Sequence, residues 1–264
     1  MKPKTNVAAK ILGGLSFLIY FFLWAPVIGI IVFSFSGNKY GTSWDGFTLK
    51  WYAELFNNVA VKDALVRSLV VASITVIVST IIGTITGYGL YKLHFRGKQF
   101  LRTSILLPIV FPSVVTGSAL LVFFTRFFQI PLGYPSIIIA HIVFSSPLAV
   151  FVILGRMQRF DWSWEEAAMD LGATRFRTFL RVTGPMLLPA IAASAMLIFP
   201  WSFDDFVITY FVAGIGSTTL PIYVFSQLRF GATPVINTIG TLFVVLTMAA
   251  LALMYFVQKK NESI

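Results

Sequence analysis

A chain of 264 residues with 57% hydrophobic and only 11% charged side chains has a mean hydropathy of +0.85, which excludes a soluble globular protein, where about 25% of residues are charged. The net charge of +10 would suit nucleic acid, but the Lys and Arg stand at the ends of long apolar runs, the pattern of a polytopic membrane protein. Without cysteine there are no disulfides and no thiolate metal sites.

The N-terminus carries Lys2, Lys4 and Lys10, and an apolar run follows from Ile11 to about Phe35. At roughly 25 residues this run exceeds the ~7–15-residue apolar region of a signal peptide, so an uncleaved span is predicted, kinked at Pro26. Residues 36–62 form a polar connection in which Trp44, Trp51 and Tyr52 suit a membrane interface. A second span covers about 63–90. Its Gly83 and Gly87 form a small-xxx-small pair that admits a neighbouring helix closely. A basic turn follows, with Lys92, His94, Arg96, Lys98 and Arg102. The third span, about 103–128, carries Pro108 and Pro112 in its first half. A turn at 129–135 leads to the fourth, about 136–154, with His141 and Pro147. His141 is expected to be a hydrogen-bonded packing residue, and the mid-span prolines static kinks.

A polar island with its own structure comes next, about 156–185. Ser163 and Glu166 have the spacing of a capping box at a helix start. Trp164, Ala167, Ala168 and Leu171 fall at i, i+3, i+4 and i+7, one apolar stripe flanked by Glu165, Glu166 and Asp170. Gly172 suits the left-handed position that ends a helix. Thr174 can cap a second short helix, with Phe176, Phe179 and Leu180 on one side and Arg175, Arg177 and Arg181 elsewhere. Ala167 and Ala168 have almost no side chain, so a partner's surface can approach the first helix closely.

Span five runs from about 186 to 212, a connection from 213 to 233, and span six from about 234 to 257. The outer half of span five holds Trp201, Asp204, Asp205, Phe206 and Tyr210. A carboxylate inside a span is costly unless it meets water, a partner or a cation. Trp201 precedes the two acids by three and four residues, so an indole can lie beside a carboxylate on one helix surface. Adjacent helical residues point about 100° apart, so one Asp can face a pathway while the other pairs with an Arg or a backbone group. On the residues alone two readings stand: a site for an organic cation, by ionic and cation–π attraction, or an interfacial aromatic belt with two wetted helix-end acids.

Six spans place both termini on one side. Fourteen of the twenty Lys and Arg fall in the termini, the turn after span two and the central island, which makes these segments cytoplasmic. No phosphate-cradling G-x-x-x-x-G-K-[ST] occurs, nor H-E-x-x-H or G-x-S-x-G, so no catalytic centre emerges and energy for transport must come from a partner or an ion gradient.

Glu166-Ala167-Ala168, then Gly172, Val182, Gly184 and Pro185, resembles the EAA loop of ABC-importer permeases, with Val182 in place of the usual Ile and Gly184 in place of Leu. The resemblance implies an all-α, six-helix permease of the type I importer fold, one transmembrane domain over 1–264, in a bacterial cytoplasmic membrane. It implies a coupling helix that docks on an ATPase subunit, carried here by Glu166, Ala167, Ala168, Asp170, Gly172 and Arg175. The implied partners are a second permease, two ATPase subunits that use ATP and Mg, and an extracytoplasmic binding protein; no cofactor is implied in this chain. Three further stretches are similar to spermidine/putrescine importer permeases of the second-permease type: Gly46–Tyr52, Phe95–Lys98, and Ser202–Ile208 with Phe211-Val212 and Thr218–Ser226. That likeness makes polyamine the expected cargo and Trp201, Asp204, Asp205, Phe206 and Tyr210 the expected pathway residues. Where the family often reads Asn-Pro-Glu-Ile-Asn, this chain has Thr233-Pro234-Val235-Ile236-Asn237, without the carboxylate. Ferric ion, thiamine and an organic phosphonate remain open as cargo, and a secondary transporter as a class.

Overall fold

The computed structural model describes residues 7–39, 43–229 and 234–262, with side chains from 10 to 248 of these. Lys2, Lys4 and Thr233 lie outside the described residues, as do the side chains of Lys259 and Lys260. Among the described residues, apart from one isolated bridge between Ser36 and Phe47, the regular structure is helical. The elements group into two compact units, residues 1–62 with 224–264, and residues 63–223.

In the first unit α1 (Val7–Phe33) packs on α12 (Pro234–Glu262), which also carries α2 (Lys50–Asn57). The approach is close at Gly240, where a Cβ would stand 3.1 Å from Ile30. The described large apolar side chains of α1 from Ile11 to Trp24 are exposed, as suits a helix bounded by lipid or another membrane helix. The connection after α1 is ordered by polar pairs. Tyr52 Oη and Ser34 Oγ are 2.9 Å apart, and the Phe35 ring stacks on Phe47 and Tyr52. Trp51, expected at a membrane interface, is instead buried. Its indole N–H donates to the Ser36 carbonyl at 2.7 Å, which satisfies the one polar atom its burial would strand. Trp44 is exposed.

The second unit is built on α3 (Val59–Lys92), α6 (Tyr134–Met157) and α9 (Gly184–Phe203), with α6 and α9 packed on each other. Gly83 and Gly87 meet α6 as the small-xxx-small spacing predicts: a Cβ on Gly83 would lie 2.2 Å from the Ala149 Cβ, and one on Gly87 2.8 Å from Ile153. The third expected span is not one straight helix. It consists of α4 (Lys98–Val110), then α5 (Ser113–Val122) continued by a π-helical turn, Phe123–Phe128, bent by 104° at the break. The cause is Pro112. It forces Phe111 into extended backbone, φ −71° and ψ 141°, so α4 must stop and α5 restart after the proline.

Span five is also interrupted. Its helix ends at Phe203, and a separate short helix, α10 (Val207–Val212), follows the non-helical Asp204–Phe206. The expectation of one helix to residue 212 is therefore corrected. α10 packs on α5 and α6, and the core between them holds Val71, Phe124, Ile137, Ala140, Phe144, Ile208 and Val212. Ser136 ties the ends together, donating from Oγ to the Val212 carbonyl at 2.7 Å. The helix α11 (Leu220–Arg229) lies in the connection that follows. By length and apolarity four described helices can cross a membrane (10–33, 59–92, 134–157 and 175–203), and the bent 98–128 pair makes up to five. Pro234–Met248 is a shorter apolar helix.

Candidate coupling loop and candidate cation site

Between α6 and α9 the chain forms α7 (Ser163–Asp170) and the single turn α8 (Arg175–Thr178). The capping box expected from Ser163 and Glu166 is not made. The helix begins at Ser163 itself, and the Asp161 carboxylate accepts the Ser163 N–H at 3.1 Å. The C-terminal signal is met in full. Gly172 sits at φ +85°. Its N–H donates to Met169 O at 2.9 Å and that of Ala173 to Ala168 O at 3.1 Å, the paired bonds of a Schellman motif. Thr174 caps α8, accepting the Arg177 N–H at 3.4 Å.

The second short helix is not separate from the span that follows. α8 runs through a π-helical turn, Phe179–Thr183, into α9, and 175–203 is continuous. Gly184 stands just after that turn, where a Cβ would lie 3.0 Å from the Phe179 carbonyl oxygen. The wider π-turn brings this oxygen in, which is a steric reason for Gly at a position where the resembled pattern has Leu.

The faces of α7 are arranged opposite to those of an ordinary surface helix. Trp164, Ala167 and Leu171 are exposed, Leu171 at 89%, while Glu165 is buried at 4%. Glu166, Asp170, Gly172 and Arg175 are exposed on the same loop and Ala168 is half-buried, so all six candidate coupling residues belong to one local structure. Beside them Ala168, Leu171, Gly172, Arg177, Arg181 and Val182 line a cavity of about 300 Å³.

Glu165 was legible only as a flanking charge, yet it has the strongest contacts of the loop. Its Oε2 meets Lys92 Nζ at 2.6 Å, and its Oε1 accepts the Thr183 hydroxyl at 2.5 Å. Lys92 also lies 3.7 Å over the Trp162 ring, which stacks on Tyr91 at 5.0 Å. Glu165 is enclosed, whereas the Lys92 side chain is 32% exposed, so the pair is only half-buried.

The second candidate site surrounds the break between α9 and α10. Asp205 Oδ2 accepts the Thr209 N–H at 2.8 Å and the Thr209 hydroxyl at 2.9 Å. His141, 1% exposed, lies with Nε2 2.8 Å from Thr209 Oγ1 and 3.4 Å from Asp205 Oδ2. Its Nδ1 is 2.7 Å from Ser202 Oγ. One tautomer satisfies the chain of bonds: Ser202 donates to Nδ1, Nε2–H donates to Thr209, and Thr209 donates to Asp205. The His141 expectation of a bonded packing residue thus holds, and its partners Ser202 and Thr209 had gone unnoticed. The break itself follows from Asp205, whose side chain takes the Thr209 N–H and so starts a new helix.

Of the two acids, Asp204 is exposed and Asp205 mostly enclosed. Asp205 takes the Thr209 N–H, the backbone pairing expected for one of the two acids, and Asp204 is exposed. Asp205 is not spent by this role, since among the described residues its side-chain contacts use Oδ2. It lines a cavity of about 90 Å³ with Trp201, Phe144, Ser113, Thr116 and Ile208. Trp201 and Tyr210 are exposed, and Phe206 packs on Tyr210 with ring centroids 5.4 Å apart. Trp201 and Asp205 therefore share a cavity, although the helix that was to align them stops at Phe203.

Residues 79–262 match the family of binding-protein-dependent transport system inner membrane components. The chain belongs to that family. This inner-membrane permease is 35% identical over 246 residues to the spermidine/putrescine transport system permease protein PotC of Haemophilus influenzae, covering 93% of this chain and 95% of the relative. It is 40% identical to the putrescine transport system permease protein PotI of Escherichia coli, covering 84% and 81%. Among solved structures, the bacterial ABC transporter that imports the acidic polysaccharide alginate aligns with a TM-score of 0.73 at 16% identity, over 98% of both chains. That likeness shows the permease fold. The permease loop and the break after Phe203 lie within the residues that match the family.

Proposed function

We propose that this chain is a permease subunit of an ATP-driven importer of polyamines such as putrescine and spermidine. The names of its PotC and PotI relatives support that cargo. The observation that carries the reading in this chain is the small cavity in which a carboxylate, Asp205, stands with the aromatic faces of Trp201 and Phe144. A cavity of about 90 Å³ has room for one primary-ammonium end of a chain. The free oxygen of Asp205 neutralises the ammonium, the rings add cation–π attraction, and the Ser113 and Thr116 hydroxyls offer acceptors. Asp204, open beside the break, is a second carboxylate for the next amine; Phe206 and Tyr210 wall the approach.

The exposed face of α7 is the surface for an ATPase subunit. Trp164, Ala167 and Leu171 give it apolar contact, the small Ala side chains give close approach, and Glu166, Asp170 and Arg175 give charge pairing. In this reading the chain has six spans with cytoplasmic termini and pairs with a second permease. Two ATPase subunits bind ATP and Mg, and a binding protein delivers cargo from outside. The chain supplies no nucleotide site and no cofactor.

Expression with its partners in a polyamine-auxotrophic bacterium lacking its own polyamine importers tests this reading. Growth rescued by external putrescine or spermidine, and lost with Glu166→Lys, is expected. No rescue from complexes that assemble and hydrolyse ATP would discard polyamine as the cargo.

A further inference from the structure

Glu165 lies between Trp164 and Glu166 of the docking face and points the opposite way. It joins three elements that are distant in sequence: Lys92 at the end of α3, α7 itself, and Thr183 at the entry to α9. Each carboxylate oxygen has its own partner, at 2.6 and 2.5 Å. Lys92 is held in place from a second side by the Trp162 ring, and Trp162 by Tyr91, whose hydroxyl lies 3.3 Å from the indole N–H. Next to this cluster a cavity of about 600 Å³, lined by Tyr88, Met169, Arg175 and Phe179 as well as by Lys92 and Glu165, leaves α7 without close packing on that side. A helix seated beside open space is connected to the spans by the groups that bridge to them, and here those contacts are short and meet on one buried carboxylate.

We propose that Glu165 is a positioning residue that transmits displacement of α7 to α3 and α9 through Lys92 and Thr183. Pushing α7 moves its carboxylate, and contacts made by a carboxylate shut away from water resist stretching more than those of a fully exposed pair. Both long helices are therefore drawn along with α7. The proposal rests on the reading of α7 as the ATPase contact. It adds that docking and transmission belong to different side chains: the exposed face receives the ATPase, and Glu165 passes its motion on.

The test uses the complete complex in proteoliposomes. The chain has no native cysteine, so Leu197→Cys, exposed on α9, gives this subunit a single maleimide-reactive site, and the labelling rate of the separated subunit reports movement of that helix. In the otherwise unsubstituted complex this rate is expected to differ between nucleotide-free and ATP-bound states. Glu165→Gln keeps an acceptor for Thr183 but removes the charge that holds Lys92. With Glu165→Gln the ATP-dependent change in labelling is expected to vanish while ATP is still hydrolysed, and the ATP consumed per substrate imported to rise roughly tenfold. Thr183→Val, which removes only the α9 arm, is expected to give a smaller rise. The swap of Lys92→Glu with Glu165→Lys is expected to restore part of the coupling.

A proportional fall of hydrolysis and uptake in Glu165→Gln would assign Glu165 to docking and overturn the proposal. So would an unchanged labelling response. If Glu165→Gln fails to assemble, the swapped pair and Thr183→Val decide: assembly with ordinary coupling in both makes the cluster purely structural. If the unsubstituted complex hydrolyses ATP without any change at Leu197→Cys, the ATPase-coupling reading itself falls, and this inference with it. Failure of putrescine uptake with an intact labelling response would remove the cargo alone and leave the clamp standing.

Discussion

His141 Nε2 lies 3.4 Å from Asp205 Oδ2, so a buried histidine of α6 helps hold the carboxylate at which span five breaks and α10 begins. Thr209 sits between them and bonds to both. The candidate cation site is thus built on a fixed polar network rather than on two loosely placed acids. His141→Phe fills the space but strips the Ser202 hydroxyl of its His141 partner, at about 1–3 kcal/mol, while the Thr209 hydroxyl keeps its bond to Asp205. A lower unfolding midpoint of the solubilised complex and a loss of uptake are expected. A thermal scan unchanged from the parent would show that the network carries no stability.

Asp205→Asn separates charge from structure. An amide oxygen can still accept the Thr209 N–H, so the start of α10 survives, while the cavity loses its anion. Uptake is expected to fall about tenfold or more, equivalent to roughly 1.4 kcal/mol of cation binding, with the complex assembled. Asp204→Asn, at an exposed position, is expected to reduce uptake less. Size-exclusion profiles beside uptake rates check both; loss of assembly with Asp205→Asn would make that acid structural.

Gly172→Ala adds a side chain into open space, since nothing lies within 4 Å of the Cβ position, but at φ +85°. The cost is conformational, about 1–2 kcal/mol, and falls on the turn that ends α7. Uptake and ATP hydrolysis are expected to fall together, because the docking helix loses its terminus. Full activity at both readouts would contradict a role for this turn in presenting α7.

Glu166→Lys is expected to leave stability within about 0.5 kcal/mol, as for an exposed surface change, and to abolish binding-protein-stimulated ATP hydrolysis. Co-purification of the ATPase subunits measures this. Their undiminished recovery together with full uptake would remove Glu166 from the contact.

Gly83→Leu places a side chain where even a Cβ would be 2.2 Å from Ala149. α3 and α6 must separate, and overpacking of this kind costs about 1–3 kcal/mol or more. A lower yield of folded permease and a lower unfolding midpoint are expected; a parental midpoint would argue against this helix contact.

The positions of the long helices were readable from hydropathy, because lipid-sized apolar runs leave little choice of structure. The loop between α6 and α9 was readable as well, through Gly172 and Thr174, whose chemistry is local. What escaped the sequence depended on distant partners. Apolar periodicity cannot show that Glu165 turns inward, because Lys92 and Thr183 meet it only after α3, α7 and α9 have assembled. Pro112 alone predicts a kink, whereas Phe111 and Pro112 together stop one helix and start another. The break at Asp204–Phe206 was hidden by its apolar neighbours, and the signal that could have revealed it was Asp205 with Thr209 four residues later, a side chain that can take a backbone N–H from a continuing helix.

Uptake of labelled putrescine and spermidine by proteoliposomes holding the assembled complex, with ATP supplied to the ATPase side and each polyamine challenged by the other and by a neutral diol of matching length, tests the central claim most directly. The account predicts saturable, hydrolysis-dependent uptake of the polyamines, blocked by the competing polyamine and not by the diol, and lost with Asp205→Asn. Equal uptake of the diol, or none of either polyamine from a complex that hydrolyses ATP, would contradict it.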